Sequence, residues 1–242
     1  MNYDTPIIDA HALLGSEYHL QLSAPELLKR MDENDIQTAI ARPVGAELAV
    51  YNTQGNDRVL KAGKRIRGMA TVNPWFGAAA LDELKRCRDL GAVGLFLHPS
   101  RQGFMPSDGF VAPIFDYAAS VKWPVTVHTG SYVQADILSL GEVARKYPQT
   151  TFIAGFGGFT DMWFELPGVF SEVPNLVLDC SMIWGDAVLE IVQNNGAERV
   201  IFGSAEPRNR YPVALKMLSR LNLNAAQLRA ILFDNARRTF CL

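Results

Sequence analysis

The sequence predicts one α/β domain, a (β/α)₈ TIM barrel with a C-terminal helix. Three observations lead there. Eight short, β-rich apolar runs alternate with helical or loop-plus-helix stretches, in units of roughly thirty residues, the size of one βαβ step. Every gap between runs supplies the dozen or more residues that a parallel crossover needs. The chain of 242 residues also matches the size of such barrels, about 250 residues. A doubly wound open sheet fits less well, because no Gly-x-Gly-x-x-Gly follows the first strand. The Gly-rich turn at Gly155–Gly158 is a weak signal alone.

Taken in order, the strands are predicted at Ile7–Ala10, Thr38–Ala41, Ile66–Val72, Val93–Leu97, Val125–Val127, Thr151–Ala154, Leu176–Leu178 and Val200–Phe202. Continuous apolar runs of this length suit strands buried on both faces. Helix Ala24–Asn34 follows Ser23, whose hydroxyl can cap it. Helix Leu81–Leu90 has apolar residues at helical spacing and stops at Gly91, a residue suited to the left-handed C′ position. Pro113–Val121, Ile137–Lys146, Ala187–Gln193 and Val213–Leu221 have similar spacing, and Ala225–Phe240 closes the domain, read as residues 1–242.

Composition narrows the partners. An apolar share of 48% can fill the core of a chain that buries about 72% of its open surface on folding. Lys+Arg number 23 against 25 Asp+Glu, a net charge of -2, so the basic excess of a nucleic-acid binder is missing. Cys87, Cys180 and Cys241 form no disulfide framework and no Cys-x-x-Cys pair, which fits a reducing compartment. The start MNYDTPIIDAH lacks the basic and apolar regions of a signal peptide, and no apolar run approaches a membrane span. The expectation is a cytoplasmic protein with no membrane and no nucleic-acid partner.

Chemistry in such a barrel sits at the C-terminal ends of the strands. Those positions carry Asp9 and His11, Arg42, Asn73, His98, His128, Gly155 and Phe156, Asp179, Cys180 and Ser181, then Ser204, Ala205 and Glu206. Three of the four histidines fall there, which points to one shared site of His11, His98 and His128. His19, in the loop after the first strand, is read as a rim or solvated residue. Arg42, Arg101 and Arg208 can grip a substrate carboxylate or phosphate, since guanidinium forms bidentate pairs. Asn73 is a candidate to orient the ligand, although after a strand and before Pro74 an asparagine more often caps a turn. Cys180 follows an acidic residue, which raises a thiol pKa, and is read as core packing.

IIDAHALLG, GLFLHPSRQGF, PVTVHTG, FIAGFGG, RVIFGSAEP and FDNARRTF together resemble the amidohydrolase superfamily. More narrowly, they resemble its amidohydrolase-related group, the aminocarboxymuconate semialdehyde decarboxylase-like enzymes. The resemblance implies a (β/α)₈ barrel with a divalent metal at its mouth, and a homo-oligomer, expected to be a dimer. The aromatic stretch Asp161–Phe164 weakly supports association. The family pattern has two histidines at strand one, and this sequence has His11 and Leu13. The strand-five ligand is present as His128, the strand-six histidine falls on Gly155, and the strand-eight aspartate falls on Ala205.

His11 and His128 are thus the surviving metal ligands, with His98 and Glu206 as possible additions. A catalytic zinc normally has three protein ligands, so the expected cofactor is none or a weakly held divalent ion, zinc if one is bound. Without metal, His11, His98, His128 and Glu206 become the acid/base candidates. The leading reading is an enzyme with a depleted metal site that hydrolyses or decarboxylates a small carboxylated, lactone-like or amide-like ring. The alternative is a metal-free pseudoenzyme that binds a ligand or regulates a partner.

Overall fold

The computed structural model describes residues 3–130, 133–159 and 163–242. Its strands are β1 (Ile7–Glu17), β2 (Leu20–Leu22), β3 (Ile36–Pro43), β4 (Ile66–Gly68), β5 (Leu95–Leu97), β6 (Val125–His128), β7 (Phe152–Gly155), β8 (Leu176–Asp179) and β9 (Val200–Ile201). All eight predicted strands are present. They form two ladders, β2-β1-β3-β4 and β5-β6-β7-β8-β9. Among the described residues, every pairing between barrel strands is parallel, and only the β1–β2 hairpin is antiparallel.

Backbone hydrogen bonds join the two ladders at both seams. At one, Val93 N donates to Gly68 O (3.1 Å), Ala70 N to Gly94 O (2.9 Å) and Phe96 N to Ala70 O (2.8 Å). At the other, Ala10 N donates to Phe202 O (2.8 Å), Ala205 N to His11 O (2.7 Å) and Leu13 N to Glu206 O (2.8 Å). The result is the TIM barrel expected from the sequence.

Side chains alternate across a strand with period two, and this period builds the interior. Ile8, Ile40, Met69, Phe96, Ile153, Val177 and Ile201 pack inside the ring, with Ala236 and Phe240 of the C-terminal helical segment packed against them. Their strand neighbours, among them Ala39, Leu95, Leu97, Leu176, Leu178 and Val200, belong to the larger cluster that meets the outer helices.

Helices Ala24–Asp32, Ala78–Asp89, Ala112–Ser120, Ile137–Lys146, Gly185–Asn195 and Tyr211–Leu218 match the expected ones in place and type. The Ser23 hydroxyl accepts from Glu26 N at 3.4 Å, and Gly91 takes φ +86° just beyond its helix. The chain differs from expectation in three places. Segments 45–49, 52–60 and 166–172 are helical; the first two have few apolar residues at helical spacing, whereas Leu166, Val169 and Phe170 give the third a short apolar face. Leu20–Leu22 returns along β1 as a hairpin. The last helix is interrupted, with a π-type turn at Ala230–Asp234 between Ala225–Arg229 and Asn235–Thr239. Among the described residues, no helix is long and apolar enough to cross a membrane.

Candidate active site

The inward period carries straight into the mouth. Arg42, His98, His128 and Asp179 lie two residues beyond the interior Ile40, Phe96, Thr126 and Val177, so each points inward at a strand end. His11 lies three beyond Ile8, which would turn it outward. A register irregularity of β1 between Asp9 and Ala12 resets the period and brings it in.

His11 is fully buried. Its Nδ1–H donates to Asp179 Oδ2 at 2.5 Å, and its Nε2 accepts from Arg42 Nε at 2.9 Å. Asp179 also accepts from the Ser181 hydroxyl (2.8 Å) and Ser181 N (2.9 Å). Burial alone would raise this carboxyl, but His11 and Ser181 outweigh burial and hold it below the usual range. Burial also lowers the His11 imidazole, against the pull of Asp179. The resulting row is carboxylate, neutral imidazole, guanidinium. Gly203 makes room for it, since a Cβ there would lie 2.0 Å from Asp179 Oδ1 and 3.0 Å from His11 Cβ.

Arg42 is 3% exposed. Its guanidinium carbon lies 4.3 Å from the centre of the Phe96 ring, within cation–π range. Burial, with Arg208 nearby, pulls Arg42 down to about 9, so it stays charged at neutral pH.

His98 and His128 form the second group. Their rings stack with centres 3.9 Å apart and planes 21° apart. Neither Nδ1 has a partner among the described residues. Burial first, then His128 and Arg42 for His98, and Arg42 and His11 for His128, hold both imidazoles well below their usual range. Both are neutral at pH 7. Phe156, held at φ +62°, links the groups: it stacks on His11 at 4.8 Å and turns its edge to His128 at 4.7 Å.

These side chains face a cavity of about 570 Å³, whose walls include Arg42, His98, His128, Phe156, Arg101 and Arg208. Glu17, at the end of β1, also lines it. Its carboxylate pairs with Arg101 and lies 3.8 Å from Arg208 Nη2.

The expected site residues therefore divide. His98, His128, Arg42, Arg101 and Arg208 share the cavity, while His11 sits beneath it, behind Arg42 and Phe156. Glu206 points away, beyond the end of β9 and just after Ala205, which takes φ +61°. Arg30 Nη1 donates to its Oε1 at 2.5 Å, Arg210 Nε lies 3.1 Å from the same oxygen, and Tyr211 N donates to Oε2 at 2.9 Å. It is a buried structural carboxylate on the outer side of the barrel. Asn73 accepts from Trp75 N (3.1 Å) and donates to Ala49 O (2.8 Å), so its side chain caps a turn outside the cavity. Cys180 is buried, and burial beside Asp179 raises its thiol to about 12. Asp179 and Phe156 stand at predicted strand ends, but the partners they meet are not readable from the sequence, and Glu17 carries no sequence signal of its role.

The residues present do not fit a catalytic metal. His11 has both ring nitrogens engaged, Glu17 is paired with arginines, and His98 and His128 alone fall short of three donors. Among the described residues, no group of three His, Cys, Asp or Glu side chains could hold an ion.

The family model described as Amidohydrolase matches residues 22–242, and the chain belongs to this family. No curated protein sequence matches the chain. Among solved structures, it is similar to 5-carboxyvanillate decarboxylase from Novosphingobium aromaticivorans, complexed with manganese and 4-hydroxy-3-methoxy-5-nitrobenzoic acid, at TM-score 0.79 and 16% identity, over 99% of this chain and 97% of that one. It is also similar to a putative 2-pyrone-4,6-dicarboxylic acid hydrolase from Pseudomonas putida, at TM-score 0.77 and 18% identity, over 98% and 97%. An uncharacterised TIM-barrel protein from Bordetella bronchiseptica matches at TM-score 0.78 and 17% identity, over 98% of each chain. At these identities the likeness speaks for the fold.

Proposed function

We propose that the chain, one barrel over residues 1–242, is an enzyme that hydrolyses a small carboxylated ring, lactone-like or amide-like, without a bound metal. One observation carries this reading: three arginines and a pair of neutral histidines face the same cavity. Arg101 and Arg208 can take a substrate carboxylate in place of Glu17, because guanidinium and carboxylate match in geometry and charge. A neutral imidazole can accept a proton from water as it attacks an acyl carbon. The imidazolium so formed lies among arginines, which makes it a strong acid. It returns the proton to the leaving oxygen or nitrogen when the ring bond breaks. Decarboxylation instead needs a proton donor at the start, a role for which neutral imidazoles are less suited. Related folds bear names for both reactions, a pyrone dicarboxylic acid hydrolase and a carboxyvanillate decarboxylase.

A second reading, a ligand-binding pseudoenzyme, has its own support. Gly155 and Ala205 stand where the family pattern puts acid/base groups. The test is a panel of pyrone carboxylates and carboxylated phenols, incubated with protein in the presence of EDTA, with binding by calorimetry and turnover by chromatography. Turnover of a carboxylated lactone, lost in His128→Ala, supports the hydrolase. Binding without turnover supports the pseudoenzyme, and neither binding nor turnover across the panel overturns both.

A further inference from the structure

We infer that Arg42 is the resident cation of this barrel mouth, seated on the His11 nitrogen that a metal ion would otherwise use. A metal-bound histidine commonly hands its far N–H to a carboxylate, which fixes the tautomer and raises the basicity of the ligating nitrogen. The same order of groups is present here with one member exchanged. Asp179 accepts from His11 Nδ1–H at 2.5 Å, and His11 Nε2 faces Arg42 Nε at 2.9 Å. The third member is a guanidinium.

Four features show that Arg42 is built into this place. It sits on the inward register of β3, two residues beyond the interior Ile40. The Phe96 ring lies beneath its guanidinium carbon at 4.3 Å, and Phe156 lies at 6.0 Å. Nη1 donates to Pro43 O at 3.1 Å, which ties the group to its own strand. Asp179, one imidazole away, supplies the balancing negative charge.

Two consequences follow for the chemistry. The Nε2 lone pair that a metal would need is already committed, and a second cation would meet the charge of Arg42, with Arg101 and Arg208 on the same cavity wall. Positive charge is nevertheless held at the mouth. Neither of the two hydrogen bonds that Arg42 makes among the described residues uses Nη2, and Arg42 lines the cavity, so the guanidinium can offer an N–H to a substrate oxygen on which negative charge develops. This is stabilisation by charge and hydrogen bonding, with no exchange of ligands at a metal. The inference does not depend on which ring the cavity accepts.

The experiment reads His11 directly. Intact protein with ¹⁵N-labelled histidine is titrated with excess zinc, and then with manganese as a paramagnetic probe, while the ring nitrogens of His11 are followed by long-range ¹H–¹⁵N correlation. In the wild type, His11 should show the Nδ1–H tautomer, with Nε2 neither shifted by zinc nor broadened by manganese. In Arg42→Leu, zinc should shift Nε2. A zinc-induced shift of His11 Nε2 in the wild type would overturn the assignment. So would an unmoved His11 in a folded Arg42→Leu, because something other than the guanidinium would then bar the metal. Should Arg42→Leu fail to fold, the wild-type titration decides alone. The readout needs no turnover, so its failure is distinct from failure of the hydrolase reading.

Discussion

The buried polar residues of the mouth differ in what they would leave behind if removed. Asp179 accepts from His11 and from Ser181, and it balances a buried guanidinium. Its loss strands that charge, so Asp179→Ala should lower stability by about 3–5 kcal/mol, read as a large drop in melting temperature. His128 makes no side-chain hydrogen bond among the described residues and stands on a cavity wall. Its ring packs against those of His98 and Phe156, so His128→Ala should cost about 0.5–3 kcal/mol, less than Asp179→Ala, while abolishing ligand binding or turnover. A severe melting-point loss in His128→Ala with ligand binding intact would make this histidine structural. The sequence disclosed these residues unevenly. His98, His128 and Arg42 were legible because a strand end and a period of two suffice to place them. The exchange of a metal for Arg42 was not, since it depends on β1 and β3 meeting side by side, with His11 and Arg42 31 residues apart in sequence. The outward turn of Glu206 was not legible either, because β9 ends at Ile201 and Ala205 takes φ +61°, so strand alternation does not extend to it.

At the scale of elements, the C-terminal segment does more than close the chain. Asn235 Nδ2 donates to Ala197 O and Val200 O, both at 2.8 Å, and Phe202 N donates to Ile231 O at 2.9 Å. β9 has only two strand residues, so these bonds tie its ends to the C-terminal segment. Asn235→Ala leaves two carbonyls short of a donor, at a cost of about 1–3 kcal/mol. The expected result is a lower denaturation midpoint and faster amide exchange around Val200–Phe202 than elsewhere in the barrel. Exchange that rises uniformly would show that the residue does not act locally. The long helices were legible from their spacing and from Ser23 and Gly91. The helices over 45–49 and 52–60 were not, because polar contacts shape them: Asn52 Nδ2 donates back to Leu48 O of the preceding helix at 2.8 Å, and Asn56 Nδ2 to Thr71 O, in the loop after β4, at 2.9 Å.

For the whole molecule, the buried histidines set an acid limit. Folding holds the pKa of His98 and of His128 well below the ordinary value of about 6.5. Below that pH the unfolded chain binds protons that the folded chain refuses, so stability falls as pH drops from about 6.5 toward the folded values. Melting temperatures measured across that range should decline, and less steeply in His98→Gln. An equal slope in the variant would show that other groups govern the decline. Asp9 acts in the opposite sense. Burial pushes its carboxyl up from 3.8 to about 6, so the folded state holds a proton that the unfolded chain has lost, and that contribution to stability fades as pH rises from 3.8 through about 6. We also expect a two-fold dimer, the commonest assembly. Trp184 and Phe164 are exposed apolar surface that it could cover, whereas Asp161 lies outside the described residues. Light scattering at micromolar concentration should give twice the monomer mass, and a monomer would refute the claim. The hydrogen-bonded seams have a further consequence, which concerns misassembly. A strand with an unpaired side is a template on which foreign strands can add and fibrils can grow. Because the ring is joined at both seams, its eight strands offer no such template within the described residues. What remains is the outer side of Leu20–Leu22, too short to seed a cross-β stack, so the folded state should resist fibril formation even when concentrated.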